Sequence, residues 1–404
     1  MTTDPRFSGF SRPRDAPRAQ AAPLSAVLGV TVLGSVSSGT FWAGLFLVTA
    51  QKYGFSVFAN LVLATVMGAV YGLAARVAGR LAHGRVPRRV MSLALGTWTA
   101  AALLPLLLPG TVSALWIAAL VGSAASATTF PVVESYLTAG RHGAEMRSAI
   151  GKFNLTWTPA TALPLLLLPL FGTNGKGMLG SFAISASASA LALLAARALP
   201  LHPAPHGQEA AQSAVGPEYP ALLRAASWLL PFSYVISATL APVLPHRLAA
   251  VGVGASASFV AAIWMATRFC ALLLMWRSSF WHGRWETVGA ASVALVGGLA
   301  LVLLATSLPI LIAGLLVYGA GMGLTYYMSL YYSMAIGHGA VDAGGNFEAL
   351  IGVGYCVGPL LGIVGQVVAG PARGDAATVV LTWLCAALAA RGVVRPYLEA
   401  RRRR

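Results

Sequence analysis

IWMATRFCALLLMW, residues 263–276, is a run suited to hydrocarbon with one permanently charged group, Arg268, near its middle. If the helix ends near Arg277, the nine residues between place Arg268 roughly 13 Å inside, near mid-membrane. Exposure to lipid at that depth costs about 2.5 kcal/mol or more, so the guanidinium must face protein or a water-filled cavity. Two readings stand: a site for an anionic group on a solute, or a structural pair with Glu134 or a backbone carbonyl of a neighbouring helix.

The rest of the chain has the same character. Over 404 residues it is 57% hydrophobic and only 9% charged, with a mean hydropathy of +0.74, whereas soluble domains carry about 25% charged residues. Apolar stretches of spanning length recur from end to end, and each must be helical because lipid offers backbone groups no hydrogen-bond partner. The net charge of +16 sits at the ends of these stretches and carries no nucleic-acid reading. Cys270, Cys356 and Cys385 lie in apolar segments without a CxxC pair, so free thiols are expected, with no metal site and no cofactor.

A spanning window places twelve helices at 24–50, 55–79, 91–109, 112–139, 149–171, 177–199, 222–245, 252–276, 287–306, 308–335, 347–369 and 376–394. The polar, Pro-rich start (residues 1–23) reads as a flexible tail, 200–221 as a linker at the midpoint, and 397–404 as a basic tail. With the N-terminus inside, the outer loops hold only Lys52, Lys176, Arg247 and Arg373. The inner side then holds 22 of the 27 Lys and Arg, once Arg268 is set aside. Such a bias puts both termini in the cytoplasm and the chain in a cell (inner or plasma) membrane as a multi-pass protein.

The midpoint linker divides two related halves. AHGR (82–85) falls on WHGR (281–284), SSGTFWAG (37–44) near ISATLAPV (236–243), and AGRHGAEM (139–146) near AIGHGAVD (335–342), in the same order. These matches support six-helix bundles at 24–199 and 222–396 related as a parallel repeat.

With GRLAHGRVPRR (79–89) after the second helix, where a glycine and spacer lead into a basic cluster, the chain resembles the major facilitator superfamily. It departs from that pattern at His83, where the signature carries aspartate. It also lacks an arginine in the fourth helix and the Gly-Pro motif of antiporters in the fifth, so proton-driven drug export gains no support. The resemblance implies an all-α integral membrane fold of twelve spans in two pseudo-symmetric bundles, with the first, fourth, seventh and tenth helices around a central cavity.

The residue pattern reaches the same allocation independently. The third, sixth, ninth and twelfth helices are nearly featureless and suit lipid, whereas the other four carry Ser38 and Trp42, Thr129 and Glu134, Tyr234, and LTYYMSLYYSM (324–334). Tyr327 and Tyr331 share a face at i,i+4, where phenols can bond a solute and cover its apolar surface. Helix packing or an interfacial belt is the competing reading, and Tyr332 goes to the belt. Ser38, Trp42, Thr129, Tyr234 and Arg268 complete the expected cavity. Pro131, Pro159, Pro242 and Pro359 permit bending in helices expected to gate it, with packing the bland reading for each.

The intramembrane carboxyls Glu134 and Glu348 are read as latches. Arg80, Arg85 and Arg147 are the candidate partners of Glu134, and a proton carrier is the second reading. The scattered histidines form no HExxH motif, no acid pair is expected within a span, and no Walker loop is present. The expected function is therefore not enzymatic. It is secondary or facilitated transport of a small organic solute, with an anionic one among the options, by alternating access, with a monomer in a lipid bilayer and a coupling proton as a further option. The alternative is a receptor or scaffold that has kept a transporter fold.

Overall fold

A computed structural model describes residues 21–40, 42, 45–84, 86–141, 143–167, 180–204, 218–254, 256–336 and 341–402. Arg85, most of the expected N-terminal tail, residues 205–217 of the linker and the boundary between the fifth and sixth predicted helices lie outside them. Among the described residues twelve α-helices appear in order. They are α1 (Leu24–Gly39), α2 (Leu45–Lys52), α3 (Val57–Gly84), α4 (Pro87–Leu107), α5 (Val112–Thr138), α6 (Gly143–Leu167), α7 (Gly180–Ala195), α8 (Tyr219–Ala250), α9 (Ala257–Arg277), α10 (Trp285–Leu303), α11 (Leu308–Ile336) and α12 (Val341–Arg402).

Helices and spans correspond one to one except at the two ends of the chain. The first predicted helix is a single span in two pieces, α1 and α2, joined by a widened turn at Thr40 and Trp42. Serine side chains upstream of that turn bond elsewhere, Ser38 to the carbonyl of Ser35 and Ser37 to α7, which favours a break over a regular ladder. At the other end, α12 contains two spans. They are separated only at Gly370, whose φ of 69° and ψ of 172° require glycine, and Pro371 follows directly. The second leg continues to Arg402, so the segment expected as a tail from 397 is helical. Glu399 ties it down, accepting from Arg224 and Arg395 at 3.0 Å each.

The even number of spans puts Leu24 and Arg402 at one face, called the terminal face below; the other is the distal face. Within the first six spans, α1 packs on α6 and α7, and α4 on α5 and α7. Within the last six, α8 packs on α12, and α11 on α9 and α10. The two groups meet through α3 against α12, α6 against α9 and α5 against α12.

Glycine makes the first of these crossings possible. A Cβ on Gly352 of α12 would fall on the backbone of Gly72 of α3, and one on Gly68 would fall on the backbone of Tyr355. Small residues permit this close approach between membrane helices. Smooth apolar flanks face outward, as Leu93, Val293 and Val368 show at 74–77% exposure. The sixth span is less featureless than its composition suggested. Ser181, Ser185 and Ser189 form a buried stripe, with Ser185 bonded to Ser37 of α1 at 3.0 Å and Ser189 to the Leu95 carbonyl of α4 at 2.9 Å.

Candidate functional site

A cavity of about 170 Å³ lies between the two bundles and runs from mid-span toward the distal face. That volume exceeds the roughly 150 Å³ that accommodates a benzene ring. Helices α1, α5, α8 and α11 contribute Ser38, Ser126, Tyr234 and Tyr318. Helices α3, α6, α9 and α12 contribute as much: Tyr71, Trp157, Arg268 and Tyr355. With Phe46 and Leu47 of α2 completing the first span, the expected lining by four spans is thus one by eight, because close crossings bring the interface helices to the axis.

The walls are aromatic. Trp42, freed by the broken turn, stacks on Tyr355 at 4.6 Å with the rings 13° apart. Tyr71 and Tyr234 meet the Tyr355 ring edge-on at 5.3 and 5.1 Å. Rings in this arrangement form a preorganised apolar surface with hydroxyls at its rim.

Arg268 is the cation of this cavity, buried to 3% exposure. Its guanidinium carbon sits 4.4 Å from the Trp157 ring and 4.8 Å from the Tyr326 ring, so two π faces hold it in the low-dielectric interior. Nη2 donates to the Tyr234 hydroxyl at 3.3 Å, and Nε has no partner. Among the described residues no carboxylate forms an ion pair with it, Glu134 included. The Trp157 indole is itself fixed by a 2.9 Å bond to Asn154. A planar cation with an unused donor, clamped by rings on the cavity wall, has the chemistry to pair with an anionic group.

Four of the seven expected cavity residues line it: Arg268, Trp42, Ser38 and Tyr234. Thr129 does not, as its hydroxyl returns to the Ala125 carbonyl at 2.8 Å while Ser126 and Phe130 face the space. Tyr327 and Tyr331 also lie elsewhere. They pack with Trp281 at 5.4 and 5.2 Å near the terminal face, and Tyr326 takes the cavity position instead. Sequence reasoning missed Tyr71, Trp157, Tyr326 and Tyr355. For Tyr71, Trp157 and Tyr355 the signal was an aromatic residue on an interface helix, diluted by aromatic residues elsewhere; for Tyr326 it was hidden among the other tyrosines of α11.

Glu348 forms part of the cavity floor and accepts a hydrogen bond from the Tyr71 hydroxyl. Glu134 is fully buried behind it, and neither of its oxygens receives a bond. Among the described residues Glu134 forms no ion pair with Arg80 or Arg147, and it lies beside the carboxyl of Glu348 instead. The acid pair not expected within the spans is therefore present, and it bridges α5 and α12.

Below this floor the bundles close on each other where Gly344 and Gly345 of α12 meet α5 and α3, and beside that contact, within the second bundle, Trp281 packs with Tyr219, Tyr331 and Tyr332, whose ring centres lie 4.9–6.0 Å apart. The loop residue His282 stacks on Tyr331 at 5.2 Å. Burial, and then the Arg147 guanidinium, push its imidazole down to about 4, so it is neutral at ordinary pH.

No family model matches the chain, and no curated protein matches it. Solved structures do. The human organic anion transporter MFSD10 (TETRAN) superposes with a TM-score of 0.65 at 17% identity, over 91% of this chain and 98% of that one. The nucleoside transporter NupG gives 0.64 at 15%, over 92% and 98%. A structure from work on substrate recognition in proton dependent oligopeptide transporters gives 0.65 at 15%, over 93% and 96%. At such identities the likeness is one of fold.

Proposed function

From the twelve-span, two-bundle fold of the major facilitator superfamily, which these likenesses show, we infer that the chain is a transporter of a small organic anion working by alternating access. One observation carries the substrate class: Arg268 lies on the wall of an inter-bundle cavity with a free donor and, among the described residues, no carboxylate partner. A buried charge of this kind is costly unless something completes it, and an anionic group from the cavity side is what fits. The stacked Trp42 and Tyr355 and the edges of Tyr71 and Tyr234 suit a flat apolar body of modest size.

The mechanism follows from the packing. Each bundle is internally bonded, while the interface crossings rely on glycine, so the bundles can rock about the site as units. The excess of Lys and Arg puts the terminal face in the cytoplasm, and the cavity as it stands then opens outward. The outward site admits the anion. Closure above it and parting of the terminal seal release it inside.

The test is a thermal-shift screen of the purified chain against a panel of organic anions, cations and neutral solutes, followed by flux in proteoliposomes. Stabilisation by flat monoanions with uptake into vesicles is expected. Preferential stabilisation by cations would refute the anion class, and binding without any flux would make the protein a receptor.

A further inference from the structure

The buried hydroxyls of α5 are engaged, with one exception. Ser123 donates to the Met67 carbonyl of α3 at 2.7 Å, while Thr129 and Thr138 return to carbonyls four residues back at 2.8 and 3.0 Å. Ser135 reaches the Val132 carbonyl, and Tyr136 those of Pro200 and Leu201. Ser126 has no partner among the described residues, although it is buried to 1% exposure and lines the cavity. A helical serine ordinarily bonds the carbonyl three or four residues back, and Ser126 takes neither that of Ser123 nor that of Gly122. A buried hydroxyl left unpaired is destabilising, so one kept in a cavity wall calls for a group that completes it. Other hydroxyls of the lining are committed: Ser38 to the Ser35 carbonyl, Tyr71 to Glu348 and Tyr234 to Arg268.

Ser126 and Arg268 face the cavity from different bundles, on α5 and α9. Arg268 stands nine residues from the terminal end of α9, and Ser126 twelve from that of α5. The rise of an α-helix then puts the hydroxyl about 5 Å nearer the distal face. Phe130, one turn below Ser126, and Trp157 beside the guanidinium make the wall between them aromatic. Arg268 is the one cation in the described lining. A solute whose negative charge meets it therefore finds no second cation at Ser126, and a second anionic group there would be desolvated without a partner. A neutral hydroxyl suits a lone serine, because each can donate to or accept from the other.

We propose that Ser126 is a specificity-determining residue: the site takes monoanionic aromatic acids that carry a ring hydroxyl, with the carboxylate on Arg268 and the hydroxyl on Ser126. One molecule thereby joins the two bundles. This rests on the anion reading of Arg268 and narrows it.

Titration calorimetry on the purified full-length chain, with benzoate, 3-hydroxybenzoate and 4-hydroxybenzoate as probes, tests the assignment. At least one hydroxylated isomer should bind about 3- to 10-fold tighter than benzoate, the range of an ordinary neutral hydrogen bond. In Ser126→Ala that advantage should vanish. The melting temperature of the unliganded variant should not fall, because the substitution removes an unpaired group rather than a bond. Thr129→Ala, which loses only a bond along its own helix, should keep the advantage. Equal affinities in the wild type, or an advantage that survives Ser126→Ala, overturn the subsite and leave the anion reading standing. Tighter binding of terephthalate, which has a second carboxylate in place of the hydroxyl, does the same. A hydroxyl advantage confined to the matched cations, benzylamine and hydroxybenzylamine, and lost in Ser126→Ala would overturn the anion reading while Ser126 kept its role. No binding by any of these probes overturns both.

Discussion

The two ends of one interface are packed on different terms. Toward the distal face the bundles stand apart around large rings and a guanidinium, and the space between them is about 170 Å³. Toward the terminal face the same bundles meet through residues with almost no side chain. Gly345 lies against Gly79, Gly344 against Pro131 and Glu134, and Gly352 against Gly72. Large side chains therefore line the end where a space remains between the bundles, and small ones the contact of α12 with α3 and α5 where backbones meet. A glycine contact buries little apolar area per residue, and burial is worth about 25 cal/mol per Å², so parting it costs less than unlocking interdigitated side chains. The rings of the open end are kept for something other than holding the protein together.

If that contrast is real, substitutions at the two ends should fail differently. The largest effect belongs to Arg268. Arg268→Gln should weaken an anion found in the screen by about 10- to 100-fold in titration calorimetry, since a charge-assisted bond is worth about 1.5–3 kcal/mol. The melting temperature should change little. At the sealed end the order reverses. Gly352→Leu puts a side chain on the Gly72 backbone and should cost about 1–3 kcal/mol of stability, read as a lower melting temperature, while a bound anion keeps its contacts. Equal losses of affinity and stability in both variants would erase the distinction.

Smaller changes refine it. Tyr355→Ala removes the stack on Trp42 and should lower affinity by no more than about tenfold, because an aromatic pair is worth about 0.5–1.5 kcal/mol. His282 tests the terminal end of the second bundle alone. Its imidazole is held below the ordinary value of 6.5, at about 4, so it favours the folded state above pH 6.5 and that contribution is lost as pH falls toward 4. The melting temperature of His282→Gln should therefore drop less on acidification than that of the wild type, by a few degrees or less.

The features that proved legible in the sequence are those with a local cost. Apolar length, the Pro-rich midpoint and the clustering of Lys and Arg at helix ends all follow from the expense of placing the wrong group in lipid, and they yielded the twelve spans. Arg268 was conspicuous for the same reason. What stayed hidden depends on partners far along the chain. The break in the first span involves a serine pair 148 residues apart, Ser37 with Ser185. Glu134 was expected beside an arginine because attraction is the default for opposite charges. Nothing local announces a second carboxyl on a helix of the other bundle. In LTYYMSLYYSM phenols project from every face of α11, so i,i+4 spacing picked Tyr327 and Tyr331 although the cavity lies on the side of Tyr326. Only the neighbouring helices decide which face is which.

The central claim is that the sealed end must part for the anion bound at the open end to cross. Cysteines at Ala144 and Ser279, joined by a short bifunctional reagent in protein freed of its native thiols, hold α6 and α9 together at the terminal face. Proteoliposome uptake of the screened anion should stop on crosslinking and return when a cleavable linker is cut, with binding unaffected throughout. Uptake at the uncrosslinked rate in fully crosslinked protein would contradict the account.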